Sequence, residues 1–211
     1  MDRAIGRILT AIDESGEAQN TQVWFMSDNG GRGTVPGGVR QALPPNAPLS
    51  GAKHSLLEGG IRVPFMVRGP AVAAGSVCHV PVSGYDLLPT FFELAGGKGE
   101  LSDELDGGSF VSLFSKPSQD RITRRPGALI FHRPKRSTSA VRQGDYKLLA
   151  TLGQDGAVSS TQLFNVRADH VEHENLALVM PDRERQLRSL LLEYLAEVRD
   201  PSANIRKREK K

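Results

Sequence analysis

Residues 23–31 read VWFMSDNGG, and residues 51–64 read GAKHSLLEGGIRVP. Residues 23–27 form a short run rich in β-formers that stops at Asp28-Asn29-Gly30-Gly31. Such a run with a polar, glycine-rich exit predicts a buried strand delivering side-chain oxygens at its carboxyl end. Open α/β sheets place their sites at that end. The run is apolar on both faces, so a strand neighbour on each side and helices above and below are expected.

Upstream, Asp2 is the expected cap of a helix whose Ile5, Ile8, Leu9 and Ile12 form one buried face. Downstream, residues 30–48 carry five glycines and four prolines and read as a loop. Gly31-x-Gly33 lacks the third glycine of a dinucleotide site, and prolines stand where its helix would begin. Residues 61–68 and 77–82 read as strands. Residues 85–95 read as a helix stopped by Gly96-Gly97.

The character shifts around Pro117. From residue 128 the pattern is short strands, at 128–132, 139–142, 146–151 and 162–165, punctuated by Gly144-Asp145 and Asp155-Gly156. A helix follows Pro181-Asp182, with Leu187, Leu190, Leu191, Tyr194, Leu195 and Val198 in one stripe. The chain therefore reads as an α/β unit over residues 1–117, an α+β unit with a small antiparallel sheet over 118–200, and a basic tail over 201–211.

Composition narrows the function. Of 211 residues, 38% are hydrophobic and 24% charged, ordinary for a globular chain. No apolar run reaches the roughly 20 residues of a membrane span, and the N-terminus lacks the features of a signal peptide. The net charge of +3 comes from the end of the chain: residues 206–211 contribute +4, leaving the body at −1. With no basic helix face, zinc spacing or aromatic platform, a nucleic-acid partner is not expected. The lone Cys78 excludes an internal disulfide.

Four places can carry chemistry. Asp28 and Asn29 offer the hard oxygen donors that suit Ca²⁺ or Mg²⁺, though Asp-Asn-Gly by itself is more often a turn. Lys53 lies on a glycine-flanked turn, where an ammonium can neutralise an anion brought close to the backbone. Glu58 and Arg62 are spaced to pair across Gly59-Gly60 and fix that loop. His132 and Arg133 stand at a strand end in the second unit.

The SDNGG and G-x-K-x-x-x-x-E-G-G-x-R-V-P motifs, with AVRQGDYKLL at 140–149 and QLFNVRADHVEHENLA at 162–177, resemble the sulfatase family in the order that family uses. The resemblance runs from the first helix to about Val198. It implies the alkaline-phosphatase-like α/β fold, of which this chain would be the C-terminal portion with its small antiparallel subdomain. It further implies Asp28 and Asn29 as metal ligands with Ca²⁺ the usual ion, Lys53 as a sulfate-binding lysine, and His132 as a substrate contact. The implied reaction is sulfate-ester hydrolysis by a formylglycine hydrate, with a sulfated small molecule or carbohydrate as substrate. A related phosphodiester or phosphonate hydrolase and a non-catalytic binding or scaffold piece are the alternatives. The C/S-x-P-S/A-R motif that yields formylglycine does not occur in the chain: Cys78-His79-Val80-Pro81 misplaces the proline, and Ser115-Lys116-Pro117-Ser118-Gln119 ends in Gln. The formylglycine and an Asp-Asp pair are therefore expected in an N-terminal half, continuous with this chain or separately encoded, without which the chain is expected to be inactive and prone to aggregate. Relatives of this kind are typically periplasmic, lysosomal or secreted.

Overall fold

The computed structural model describes residues 1–33, 44–99, 101–102, 104–117 and 122–199. Much of the Gly/Pro loop, Ser118-Gln119 and the basic tail lie outside the described residues.

Helix α1 spans Asp2–Glu14, with Met1 and not Asp2 at its N-cap. Asp2 instead lies in the first turn, where a carboxylate complements the helix dipole. None of its residues is fully buried: Ile5, Leu9 and Ile12 are half-buried and Ile8 is exposed. The apolar stripe is present, but no described element lies close enough to cover it fully.

Strand β1 is Val23–Met26, as its composition predicts. A helical turn, α2 at Glu58–Ile61, precedes β2 at Phe65–Arg68, so the strand expected over 61–68 starts four residues late. The Arg62 N–H closes on Glu58 O at 2.7 Å and holds those residues helical. β1 and β2 pair antiparallel, with Trp24 opposite Val67 and Met26 opposite Phe65. Among the described residues β1 has this one strand neighbour, where one on each side was expected. It is accordingly half-buried and not central.

Trp24, Phe65 and Val67 turn one face of this ribbon onto a core of Phe110, Leu113, Phe114 and Ile122. Helix α3, Leu87–Leu94, brings Phe91 edge-on to Trp24 at 4.9 Å between ring centroids. α4, Ser112–Ser115, is a single turn that the sequence pattern did not suggest; it presents Leu113 and Phe114 to the same core. Residues 77–82, expected as a strand, form none, yet Val80 and Val82 still pack on this core. Asp86 pins the layer from within. Its fully buried carboxylate accepts hydrogen bonds from the Ser83 and Gly108 N–H groups and is paired with the Arg124 guanidinium at 2.7 Å.

The second layer has the four strands of the period-2 reading, with the first shifted by one residue and the last starting four residues earlier than expected. β3 (Leu129–Arg133), β4 (Thr138–Gln143), β5 (Tyr146–Leu152) and β6 (Val158–Asn165) form an antiparallel meander in sequence order. α5, Pro181–Arg199, lays Leu187, Leu191 and Leu195 on Val141, Leu148, Ala150 and Leu163. Each buried leucine contributes about 1.5–3 kcal/mol. Val198, read as part of that stripe, is half exposed. Among the described residues no helix is long and apolar enough to cross a membrane.

Arg124→Met leaves the Asp86 carboxylate buried without its cation. A loss of about 3–5 kcal/mol in urea unfolding is expected, with Asp86→Asn/Arg124→Met recovering part of it.

Candidate functional site

The exit of β1 and the GAKHSLLEGGIRVP segment form one backbone knot. The Gly30 N–H donates to Gly60 O at 3.0 Å, the Lys53 N–H to Gly31 O at 3.1 Å, and the Gly59 N–H to Ser50 O at 2.7 Å. Asn46 clamps the crossing: its Oδ1 accepts from the Gly31 N–H at 2.7 Å, and its Nδ2 donates to Gly31 O and Gly51 O. The chains approach so closely that a Cβ on Gly30 would sit 1.8 Å from Gly59 O, and one on Gly59 would sit 2.5 Å from Ser50 O. Only glycine permits this contact. Asp28-Asn29 and Lys53, 24 residues apart in the chain, are thereby held on one knot, with Asp28 and Lys53 exposed and Asn29 half-buried.

A buried charge cluster fastens the knot to the second layer. Lys147, on the β5 face turned away from α5, is fully buried; its Nζ lies 2.8 Å from Glu58 Oε1 and 2.5 Å from Glu172 Oε1. It also donates to Leu56 O at 3.1 Å. The Glu58 N–H donates to Glu172 Oε2 at 2.6 Å, and Arg142 Nη1 reaches Glu58 Oε2 at 3.3 Å. Two carboxylates thus meet two cations with their hydrogen bonds largely satisfied, the arrangement that makes burying charge tolerable. Glu172 stands in a left-handed conformation, φ 60°, in a turn where Asp169 Oδ2 accepts the His173 and Glu174 N–H groups. Burial raises the Glu172 pKa above the ordinary glutamate range, against the opposing pull of Lys147. The expected Glu58–Arg62 pair exists at 3.9 Å, with Arg62 half exposed, but it is the outer member of this cluster.

Lys147, Glu172, Arg142 and Asn46 were not singled out by the sequence. The signal for Lys147 was its position: a lysine inside an apolar strand, YKLLATL, on the face opposite the α5 leucines.

Register decides the last candidate. His132 pairs with Ser139, which pairs with Ala150 of the α5-side core, so strand alternation puts His132 on the α5 side. Its Nδ1 is 2.8 Å from Ser139 Oγ. Arg133, one residue on, points the other way, and its guanidinium donates to His54 O beside Lys53. The structure therefore joins the Lys53 turn to the Asp28-Asn29 strand exit through the backbone, and it is Arg133, not His132, that bonds that turn from the second layer, at His54 O.

Asp28 and Asn29 fit a hard cation by donor type. A Ca²⁺ ion takes roughly 6–8 oxygens, and among the described residues no group of three or more His, Cys, Asp or Glu gathers. The pair fits part of a coordination shell.

Residues 1–97 match the model of the family described as Sulfatase. Arylsulfatase K of Danio rerio is 30% identical over 194 residues, covering 90% of this chain and 34% of that protein. Steryl-sulfatase of Mus musculus is 35% identical over 150 residues, covering 67% of this chain and 22% of that protein. The crystal structure of Ps i-CgsB in complex with k-i-k-neocarrahexaose superposes with a TM-score of 0.73 at 32% identity, covering 92% of this chain and 40% of that one. The putative sulfatase yidJ from Bacteroides fragilis shares the fold, with a TM-score of 0.70 at 19% identity. The chain spans about a third or less of the length of these curated relatives.

Two outcomes follow for the cluster. Lys147→Met strands two buried carboxylates and is expected to cost about 3–5 kcal/mol, read by urea unfolding. A carboxyl titration by NMR should place the Glu172 midpoint above that of an exposed glutamate. Because the folded-state pKa is raised, Glu172 favours the fold below the unfolded-state value, and stability falls as pH rises through the folded-state value; Glu172→Gln should flatten that slope.

Proposed function

The chain belongs to the sulfatase family, and from that membership we propose that it supplies the metal-binding and sulfate-binding part of a sulfuric ester hydrolase site. The fold is the α/β, alkaline-phosphatase-like fold of its structural neighbours. The observation that supports the proposal is the Lys53 N–H bond to Gly31 O, which joins the turn bearing Lys53 to the strand exit bearing Asp28 and Asn29.

In this reading Asp28 and Asn29 hold a divalent cation, Ca²⁺ by preference. When bound, the cation supplies Lewis-acid polarisation of sulfate oxygens. Lys53 neutralises the ester sulfate and the charge on its oxygens as a nucleophile outside this chain bonds to sulfur and the S–O bond to the leaving alcohol breaks. The glycine knot keeps Lys53 from drifting relative to Asp28, and the Glu58 cluster holds the knot against the second layer. The chain carries no C/S-x-P-S/A-R motif, so the formylglycine nucleophile is assigned to polypeptide outside this sequence, and stand-alone turnover is expected to be absent. A sulfated carbohydrate is the favoured substrate class, supported by the sugar ligand of the Ps i-CgsB complex.

An NMR titration of this chain with inorganic sulfate and with inorganic phosphate, each with and without Ca²⁺, tests the reading. Sulfate should shift the Lys53 and Gly31 amides, more strongly with Ca²⁺ present, and Lys53→Ala should abolish the response. Asp28→Ala should remove the Ca²⁺ enhancement alone. Phosphate binding in preference to sulfate would favour a phosphoester hydrolase instead, and silence at Lys53 with both anions would overturn the assignment.

A further inference from the structure

Asn29-Gly30 is the one Asn-Gly pair in the sequence. In an unrestrained chain such a pair loses its side-chain amide readily, because glycine has no side chain to screen its backbone nitrogen from the asparagine. The knot makes this glycine obligatory: a Cβ at position 30 would meet Gly59 O at 1.8 Å. The same contact also restrains the pair. The buried Gly30 donates its N–H to Gly60 O at 3.0 Å. On the other side of that peptide group, Asn29 O accepts from the Ser27 hydroxyl at 2.9 Å. The Asn29 side chain is half-buried, and its amide makes no hydrogen bond among the described residues. The restraint thus falls on the nitrogen that would attack, and not on the carbon it would attack.

We propose that Asn29 is a deamidation site locked by the glycine knot, inert while the Gly30 N–H stays on Gly60 O and converted when that bond opens. In the opened chain Gly30 N bonds to Asn29 Cγ, the Cγ–Nδ2 bond breaks, and ammonia leaves with the proton given up by Gly30 N. Water then adds to the cyclic imide at one of its two carbonyls. Breaking the new N–Cγ bond gives aspartate on an ordinary backbone. Breaking the original peptide bond gives isoaspartate, whose backbone runs through Cβ and Cγ. The net change is water in and ammonia out, with no oxidant or reductant. Aspartate sets a second carboxylate next to Asp28. Isoaspartate lengthens the chain by one methylene just before Gly30, where the crossing has no spare volume. That product keeps the knot from closing again, so a transient opening becomes permanent.

Trypsin releases Asn29 in the peptide from Ile8 to Arg32, and fragmentation mass spectrometry reads its conversion as the purified chain is held in mildly alkaline buffer. Conversion in the native chain should be at least roughly tenfold slower than in urea at the same pH, because only the open fraction reacts. Hydrogen exchange of the Gly30 amide should be slowed by the same factor. Asn46→Ala removes the clamp on the crossing and should speed both processes together; if that variant does not fold, the agreement of the two factors in the unaltered chain decides. Equal conversion in native and urea-unfolded chains overturns the lock. So does a native Asn29 that resists conversion while its Gly30 amide exchanges freely, or a variant in which one process speeds up without the other. The isoaspartate fraction, isolated by ion exchange, should have lost protection at the Gly30 amide. Retained protection there overturns the claim that conversion traps the open knot.

Discussion

The contact between Lys147 Nζ and the carboxylates of Glu58 and Glu172 is the constraint on which the rest of the structure depends. Taking such groups out of water costs several kcal/mol per ion, and that cost is offset only while all partners stay in place. The interaction is therefore close to all-or-none. It ties β5 of the antiparallel sheet to the segment that follows Lys53, and it holds Glu172 in its left-handed turn. The second layer is then more than an appendage: it sets where the Lys53 turn can lie.

The glycine knot is the complementary constraint. Gly30, Gly59 and Gly60 meet backbone to backbone, leaving no volume for side chains, and Asn46 fills the hydrogen-bonding gaps of the crossing. Together the knot and the cluster carry exposed Asp28 and Lys53 on a closely packed, hydrogen-bonded base. Preorganised charge of this kind is effective because it need not rearrange when an anion arrives.

The strands of the second layer, helix α3 and the β1 exit were legible in the sequence, since alternation and glycine punctuation report on local geometry. What was illegible depended on partners distant in sequence. Residues 61–68 have strand composition throughout, but the Arg62–Glu58 backbone bond turns the start into helix. Residues 77–82 look like a strand and contribute only Val80 and Val82 to a core. Asp28-Asn29 and Lys53 were identifiable as a motif, whereas the bond that unites them runs through Gly31 O. His132 and Arg133 were equal candidates by composition. A single step of register, fixed by Ser139 and Thr138, separates the one that faces α5 from the one that reaches the Lys53 turn.

The central claim is that the Lys53 turn and the antiparallel sheet behave as one cooperative body through Glu58 and Lys147. Native-state hydrogen exchange reads this directly, by comparing the Lys53 and Gly59 amides with those of β4 and β5. The account predicts that both sets open in the same unfolding event, with the same free energy and the same denaturant dependence. A knot whose amides exchange through a separate, much cheaper opening while β4 and β5 stay protected would contradict it.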